Sequence, residues 1–220
     1  MVESSIARID DYLGKLPGGV HAYPTAQVKF SIIETWIEGH DVRKLAAAVP
    51  EAVRGILTDN LPVTRWVSEV HATTIYLALR ELFFRSDDAF VADALQRNAR
   101  LLTRPMYRIL LHMVSAERAA KGAAIAFSQM HRGISLEVDP RGDRWTVSLR
   151  HPAHLVPELL ARCYATALRA ALEVKGYDSV QSTLLTADPA LTEFEVRLET
   201  SQSRPRTASE SPPSEAKSQL

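Results

Sequence analysis

The amino-acid sequence predicts an α+β domain: a mostly helical amino-terminal half packed with a small antiparallel sheet of about four strands and one long carboxy-terminal helix. Three observations carry that prediction. Ile134, Leu136 and Val138, then Trp145, Val147 and Leu149, alternate with polar neighbours on either side of the turn-forming Asp139-Pro-Arg-Gly-Asp143. Leu155, Val156, Leu159, Leu160, Cys163, Tyr164, Ala167, Leu168, Ala171 and Leu172 recur at helical spacing, with Glu158, Arg162, Thr166, Arg169 and Glu173 opposite them. Val180 to Leu185 and the alternating Phe194, Val196 and Leu198 give a second strand pair around Ala187-Asp-Pro189. A two-stranded ribbon is marginal alone, so both hairpins are expected to share the long helix as a covering layer.

Taken in order, Glu3 to Leu16 suits a short helix through Ile6, Ile9 and Leu13, ended by Pro17-Gly-Gly19. It is read as part of a loosely attached arm, residues 1–24. Val28, Phe30, Ile32, Ile33, Trp36 and Ile37 fit neither period cleanly, which predicts a short extended piece passing into a helix that stops at Gly39. Asp41 caps a helix over Val42 to Val49, and Pro50 starts another that runs to Asn60. After the break at Leu61-Pro62, Ser68 caps a helix to Phe84 whose apolar residues lie nearly all round it, the pattern of a helix buried on most sides. Ser86-Asp-Asp88 caps the next, striped by Phe90, Val91, Ala94, Leu95, Leu101 and Leu102, and Pro105 opens another. Ser115 caps a helix over Ala116 to Arg132, with Gly133 suited to the left-handed position after it, while His151-Pro152 and Gly176 bracket the long helix. Residues 25–199 thus read as one α+β domain. The tail, 200–220, is dominated by Ser, Pro, Glu and Lys and buries too little to offset its ordering entropy, so it is expected to be disordered.

Bulk properties narrow the function classes. A 46% hydrophobic content supports a real core, and 26 basic residues balance 26 acidic ones, which favours neither nucleic acid nor an anionic membrane surface. The single cysteine excludes an intrachain disulfide and a cysteine-rich zinc module. Met1-Val-Glu-Ser-Ser lacks the charged and apolar run of a secretion signal, and no stretch offers about 18 uninterrupted apolar residues, so no transmembrane segment and a cytoplasmic location are expected.

The Val28-Lys29 extended piece, Trp66 after a short helical pair, the helix-Gly133-hairpin, Pro152, the Cys163-Tyr164 helix, Gly176 and the terminal strand pair span Ala26 to Glu199. In this layout the chain resembles a delta-proteobacterial, largely myxobacterial paralogous family that is distantly similar to vinyl-reductase-like, haem nitric-oxide-binding and TRAPP-like domains. The resemblance implies a sensor-like or adaptor-like module, often dimeric, with an apolar pocket between helices and sheet. Relatives with metal chemistry place cysteines near the final strand pair, whereas Thr186 to Thr192 has none. A haem-sensing relative would carry Tyr-x-Ser-x-Arg, and the nearest string here, Tyr76-Leu-Ala-Leu-Arg80, lacks the serine. No cofactor is therefore expected.

No nucleotide loop, catalytic triad or metal cage stands out, and the chain is not expected to be an enzyme. His151 and His154, three apart at the mouth of the long helix, make an incomplete metal site, so no metal is expected. His71, His112 and His131 are read as ordinary hydrogen-bonding residues on helices. Cys163 falls on the apolar side of its helix, about two turns in, without the basic partner that a low-pKa nucleophile needs. Arg141-Gly-Asp143 spells an adhesion tripeptide but is ordinary turn chemistry. Arg97, Arg100, Arg104 and Arg108 concentrate positive charge and are the candidate contacts to an acidic protein partner; nucleic acid is not expected without interleaved exposed aromatics. Trp66, Tyr76, Tyr107, Cys163 and Tyr164 are the candidate pocket residues. Two readings follow: a non-catalytic regulatory or scaffolding module that binds protein partners as a homodimer, or a sensor of a small apolar ligand held between helices and sheet.

Overall fold

The computed structural model describes residues 6–102, 116–177 and 179–199. It is an α+β fold with antiparallel sheets. The expected loose arm is instead part of the core from its first described residues. Helix α1 (Ala7–Gly14) buries Ile9 and Tyr12, and Leu16 follows them inside. The Tyr12 hydroxyl donates to the Leu155 carbonyl at 3.1 Å and that of Tyr23 to the Ala153 carbonyl at 2.9 Å. Three apolar residues at helical spacing were therefore a packing face, and each such burial stabilises by about 1.5–3 kcal/mol.

Two very short strands lead straight into helices. β1 (Gln27–Lys29) runs into α2 (Phe30–Ile37), and β2 (Trp66–Ser68) runs into α5 (Glu69–Phe83). Between them lie α3 (Val42–Ala48), capped by Asp41 Oδ1, which accepts from the amides of Arg43 and Lys44, and α4 (Glu51–Thr58). The Ser68 hydroxyl caps α5 by accepting from the Val70 amide at 3.2 Å. As its all-round pattern predicts, α5 is buried on most sides, Val70, Ala72, Thr74, Ile75, Leu77, Ala78 and Leu79 most completely. Helix α6 (Asp87–Leu102) follows with Ser86 as cap, and the helix expected from Pro105 lies outside the described residues.

Helix α7 (Ala116–Met130) ends two residues earlier than expected, because His131 and Arg132 form a strand, β3, on the other edge of β1. The result is a three-stranded sheet in the order β2-β1-β3, with Val28 opposite Val67 and His131. No sequence pattern exposes it: strands of two or three residues complete at most one alternation.

The larger sheet matches the expected hairpins and joins them. β4 (Ser135–Arg141) and β5 (Arg144–Arg150) close on a two-residue turn at Gly142-Asp143, while β6 (Ser179–Asp188) and β7 (Leu191–Glu199) form the second pair. β5 pairs with β7, giving the order β4-β5-β7-β6. Asp139-Pro140 sits within β4 rather than in the turn, which is tolerated because β4 is an edge strand and Pro140 needs no ladder donor there. The long helix, α8 (Glu158–Lys175), begins later than expected. Residues 152–157 form a loop, which buries Leu155 and Val156 without helical backbone. At its far end Gly176 adopts φ 105°, and the amides of Gly176 and Tyr177 satisfy the carbonyls of Glu173 and Leu172. α8 packs on β6 and β7 and against α6 on its other side, so helix, helix and sheet form successive layers.

Candidate functional site

Where α1, α5, α7 and α8 meet, the core holds polar side chains. Glu69, the first residue of α5, is 4% exposed, and His131 at the start of β3 is 7% exposed; Nδ1 of the imidazole lies 2.6 Å from the carboxylate Oε1. The same imidazole stacks on Phe127, with centroids 4.1 Å apart and 12° between planes, and meets the edge of Tyr164 at 5.9 Å. The Thr73 side chain hydrogen-bonds the Tyr12 phenol, whose pKa burial pushes far up. Burial likewise raises the pKa of the Tyr76 and Tyr164 phenols, and the Glu69 charge adds to both. The Cys163 thiol is driven up by burial despite nearby Arg162, so it stays protonated and inert as a nucleophile.

Tyr76 is the exception in this cluster. Its ring lies 4.9 Å from that of Trp36, yet among the described residues its buried hydroxyl has no hydrogen-bond partner. An unmet buried hydroxyl is destabilising by about 1–3 kcal/mol, so Tyr76→Phe is expected to raise the unfolding free energy in a urea titration. A loss of stability would mean that the hydroxyl holds a buried water or ligand.

Beside this cluster opens a cleft of about 640 Å³. Tyr12, Leu77, Val156 and Leu159 give it an apolar floor, and Arg8 and Asp11 of α1, Lys15 just after it, Asp87 of α6, His154 of the 152–157 loop, Glu158 and Arg162 of α8, and Asp188 of β6 give it a charged rim. Each rim cation is already matched. Arg8 meets Glu81 at 2.9 Å and Asp87 at 3.1 Å, Lys15 meets Asp11 at 2.7 Å, and Arg162 meets Asp88 at 2.5 Å. Burial would lift the Asp87 carboxyl, but hydrogen bonds and charge from Arg8 and Arg80 outweigh it and hold the pKa below the ordinary range. Among the described residues Glu158 and Asp188 have no ion-pair partner, so the unbalanced charge of the rim is negative.

The structure redistributes the residues expected to act. Arg97, taken from sequence as a partner contact, is an internal strut. It pairs with Asp93, donates to the carbonyls of Thr35 at 2.9 Å and Glu38 at 3.0 Å, and touches His40 Nε2 at 3.0 Å, fastening the end of α2 to α6. Arg100 also has partners within the chain, and Arg104, Arg108 and Tyr107 lie outside the described residues. Tyr76, Cys163 and Tyr164 do gather in the core beside α5. Trp66 does not; it stands on the outward face of the small sheet. His151 and His154 diverge. Nδ1 of His151 donates to the Pro152 carbonyl at 3.0 Å and Nε2 accepts from the Thr192 hydroxyl at 3.1 Å, whereas His154, at φ 60°, is exposed on the cleft rim. Among the described residues no three His, Cys, Asp or Glu side chains converge for a metal ion. No helix there is long and apolar enough to cross a membrane.

Three imidazoles tie the fold to pH. Burial lowers the pKa of His40, His71 and His151 below the ordinary 6.5, with Arg97 adding to the effect at His40. Groups held neutral in this way contribute their full stability above 6.5, and that contribution is lost as pH falls through the depressed folded values. Unfolding free energy is therefore expected to decline on acidification from about pH 6.5. His151→Gln should flatten that decline in denaturant titrations.

Comparison with known proteins gives the fold but no family. No protein-family model matches the chain. No curated protein matches it either. Among solved structures it is similar to a point mutant of the T. Tengcongensis H-NOX, with TM-score 0.50 and 10% identity over 78% of this chain and 98% of that one. It is also similar to a structure described as probing haem distortion in the H-NOX family (TM-score 0.47, 10% identity, 86% and 96% covered). A third is an oxygen-binding H-NOX domain related to soluble guanylate cyclases, in its oxygen complex (TM-score 0.44, 8% identity, 77% and 92% covered). The first of these likenesses shows that the chain has an α+β fold of the H-NOX, or haem nitric-oxide-binding, type.

Proposed function

We propose that this domain is a regulatory sensor, not a catalyst, and that it holds a small organic molecule in the cleft between α1, the start of α8 and the β6–β7 turn. The cleft carries the reading. Its volume, about 640 Å³, lies within the usual range for ligand pockets, and it combines an apolar floor with a few convergent polar groups. Glu158 and Asp188, left without cations, favour a ligand that pairs an amine with an apolar body. The fold favours a sensor over a scaffold, since the structure it resembles at TM-score 0.50 is an H-NOX, a haem nitric-oxide-binding domain.

Haem itself does not fit this cleft. The imidazole on its rim, His154, is exposed, both ring nitrogens of His151 are committed to protein atoms, and the surrounding carboxylates suit a cation better than a porphyrin face. The resemblance to relatives with other chemistry, and the homodimer it implied, stay with this reading as expectations for the protein in solution.

Thermal-shift measurements with small organic amines and their matched carboxylic acids test the proposal. An amine at a hundred times its Kd is expected to stabilise the protein by about 2.7 kcal/mol, and Glu158→Gln with Asp188→Asn should abolish the shift. Stabilisation by the acids alone, or by nothing in the panel, would overturn it. Haemin added in parallel is expected to give no axial-ligand absorption band.

A further inference from the structure

We infer that the outward face of the small β2-β1-β3 sheet is a docking surface for an acidic segment of a partner protein. Because side chains alternate along a strand, Val28, Val67 and His131 point into the core and Gln27, Lys29, Trp66, Ser68 and Arg132 stand on the other side. Lys29 and Trp66 are register partners, with Lys29 Nζ 5.5 Å from the indole centroid; the Arg132 guanidinium, reaching from β3, lies 3.9 Å from it. Among the described residues neither cation has a carboxylate partner. The contrast is with the outer face of the larger sheet, where Arg144 and Arg197 both meet Glu195 and Arg150 meets Glu137.

Two cations drawn to one ring repel each other, and the ring quadrupole offsets only part of that repulsion. A carboxylate bridging Lys29 and Arg132 would remove it. Val63, 49% exposed, adds an apolar side chain on the adjoining segment, where its carbonyl accepts from the Ser31 amide at 3.1 Å. Tryptophan and arginine with an apolar neighbour are the residue types that dominate protein interfaces. On a chain with no net charge, the attraction for an acidic segment comes from this patch, which steers encounter. Single-stranded nucleic acid fits less well, since the guanidinium already lies against the indole face where a base would stack. The surface shares no residue with the cleft and stands whether or not an amine binds there. Its neighbours in the chain are the buried pair, since Ser68 precedes Glu69 and Arg132 follows His131.

The test uses the full chain and a fluorescently labelled peptide alternating Glu and Leu, with fluorescence anisotropy as readout. Binding should weaken about tenfold or more in a Lys29→Glu/Arg132→Glu variant and in Trp66→Ala, and should ease as salt rises. The pair Arg150→Glu/Arg197→Glu, on the larger sheet, should leave binding unchanged. If circular dichroism shows the charge-reversed pair unfolded, Lys29→Ala/Arg132→Ala replaces it with the same expectation. Failure of the acidic peptide to bind, binding indifferent to the Lys29 and Arg132 substitutions, or tighter binding of oligothymidylate or phosphatidylserine vesicles than of the peptide overturns the inference.

Discussion

His131→Ala is expected to destabilise the domain by about 3–5 kcal/mol, the usual consequence of removing one partner from a buried pair and leaving the other charge uncompensated. Glu69 has nowhere to turn. It is 4% exposed at the first turn of α5, and its Oε1 faces the imidazole at 2.6 Å. Truncation also strips Phe127 of its stacked ring and Tyr164 of an edge contact, which adds lost packing to lost charge. For a domain of this size about 2–4 °C of Tm goes with each kcal/mol, so a drop of about 6–20 °C is expected in calorimetry. Glu69→Gln should fall well short of that, because the amide oxygen can still accept from a neutral imidazole and no ion is stranded. Equal losses for His131→Ala and Glu69→Gln would mean that the pair is ordinary packing.

That pair shows where reading the sequence stops. The hairpins, α8 and the buried α5 were legible because each repeats a period several times, and Asp41, Ser68 and Gly176 mark ends by chemistry that is local to the chain. Glu69 and His131 are 62 positions apart. Nothing about a glutamate after a capping serine separates a helix-dipole partner from a buried ion, since both place an acid in the first turn. The small sheet hides for a related reason: strands of two and three residues carry no usable alternation, so His131-Arg132 reads as the end of a helix and Trp66 as a pocket aromatic. Arg97 misled in the opposite direction. Spacings of three and four placed Arg97 on a helix face, but its length and planar fork suit it to bridging two backbone carbonyls and a carboxylate, contacts set by how α2 abuts α6. The cleft was invisible outright, because its walls come from α1, the start of α8 and the β6–β7 turn, and it forms only once the supposed arm is packed.

Gly133→Ala should be about as damaging, by about 2–5 kcal/mol, and it tests the joint between the two sheets. A left-handed backbone alone is unfavourable for alanine by about 1–2 kcal/mol, and Gly133 sits at φ +70°. Gly142 in the β4–β5 turn is in the same state at φ +64°, but an added Cβ there meets nothing within 4 Å. At Gly133 the Cβ would come within 2.8 Å of the Ala26 Cα and 2.9 Å of the Thr25 carbonyl oxygen. Those are backbone atoms of the segment that becomes β1, so relief requires moving β1 away from β3 and weakening the Gln27–Arg132 register. Overpacking of this kind adds about 1–3 kcal/mol to the conformational term. Urea titrations of Gly133→Ala and Gly142→Ala therefore separate the two contributions, with Gly142→Ala reporting strain and the difference reporting the clash. The displacement also has an optical signature. Trp36 and Trp145 are buried, so a shift of β3 that draws the Arg132 guanidinium off Trp66 should change the emission of the more accessible indole in native Gly133→Ala and leave Gly142→Ala unchanged. Equal stability losses in the two variants would show that Ala26 yields freely, and that the small sheet is not held against the hairpin at this point.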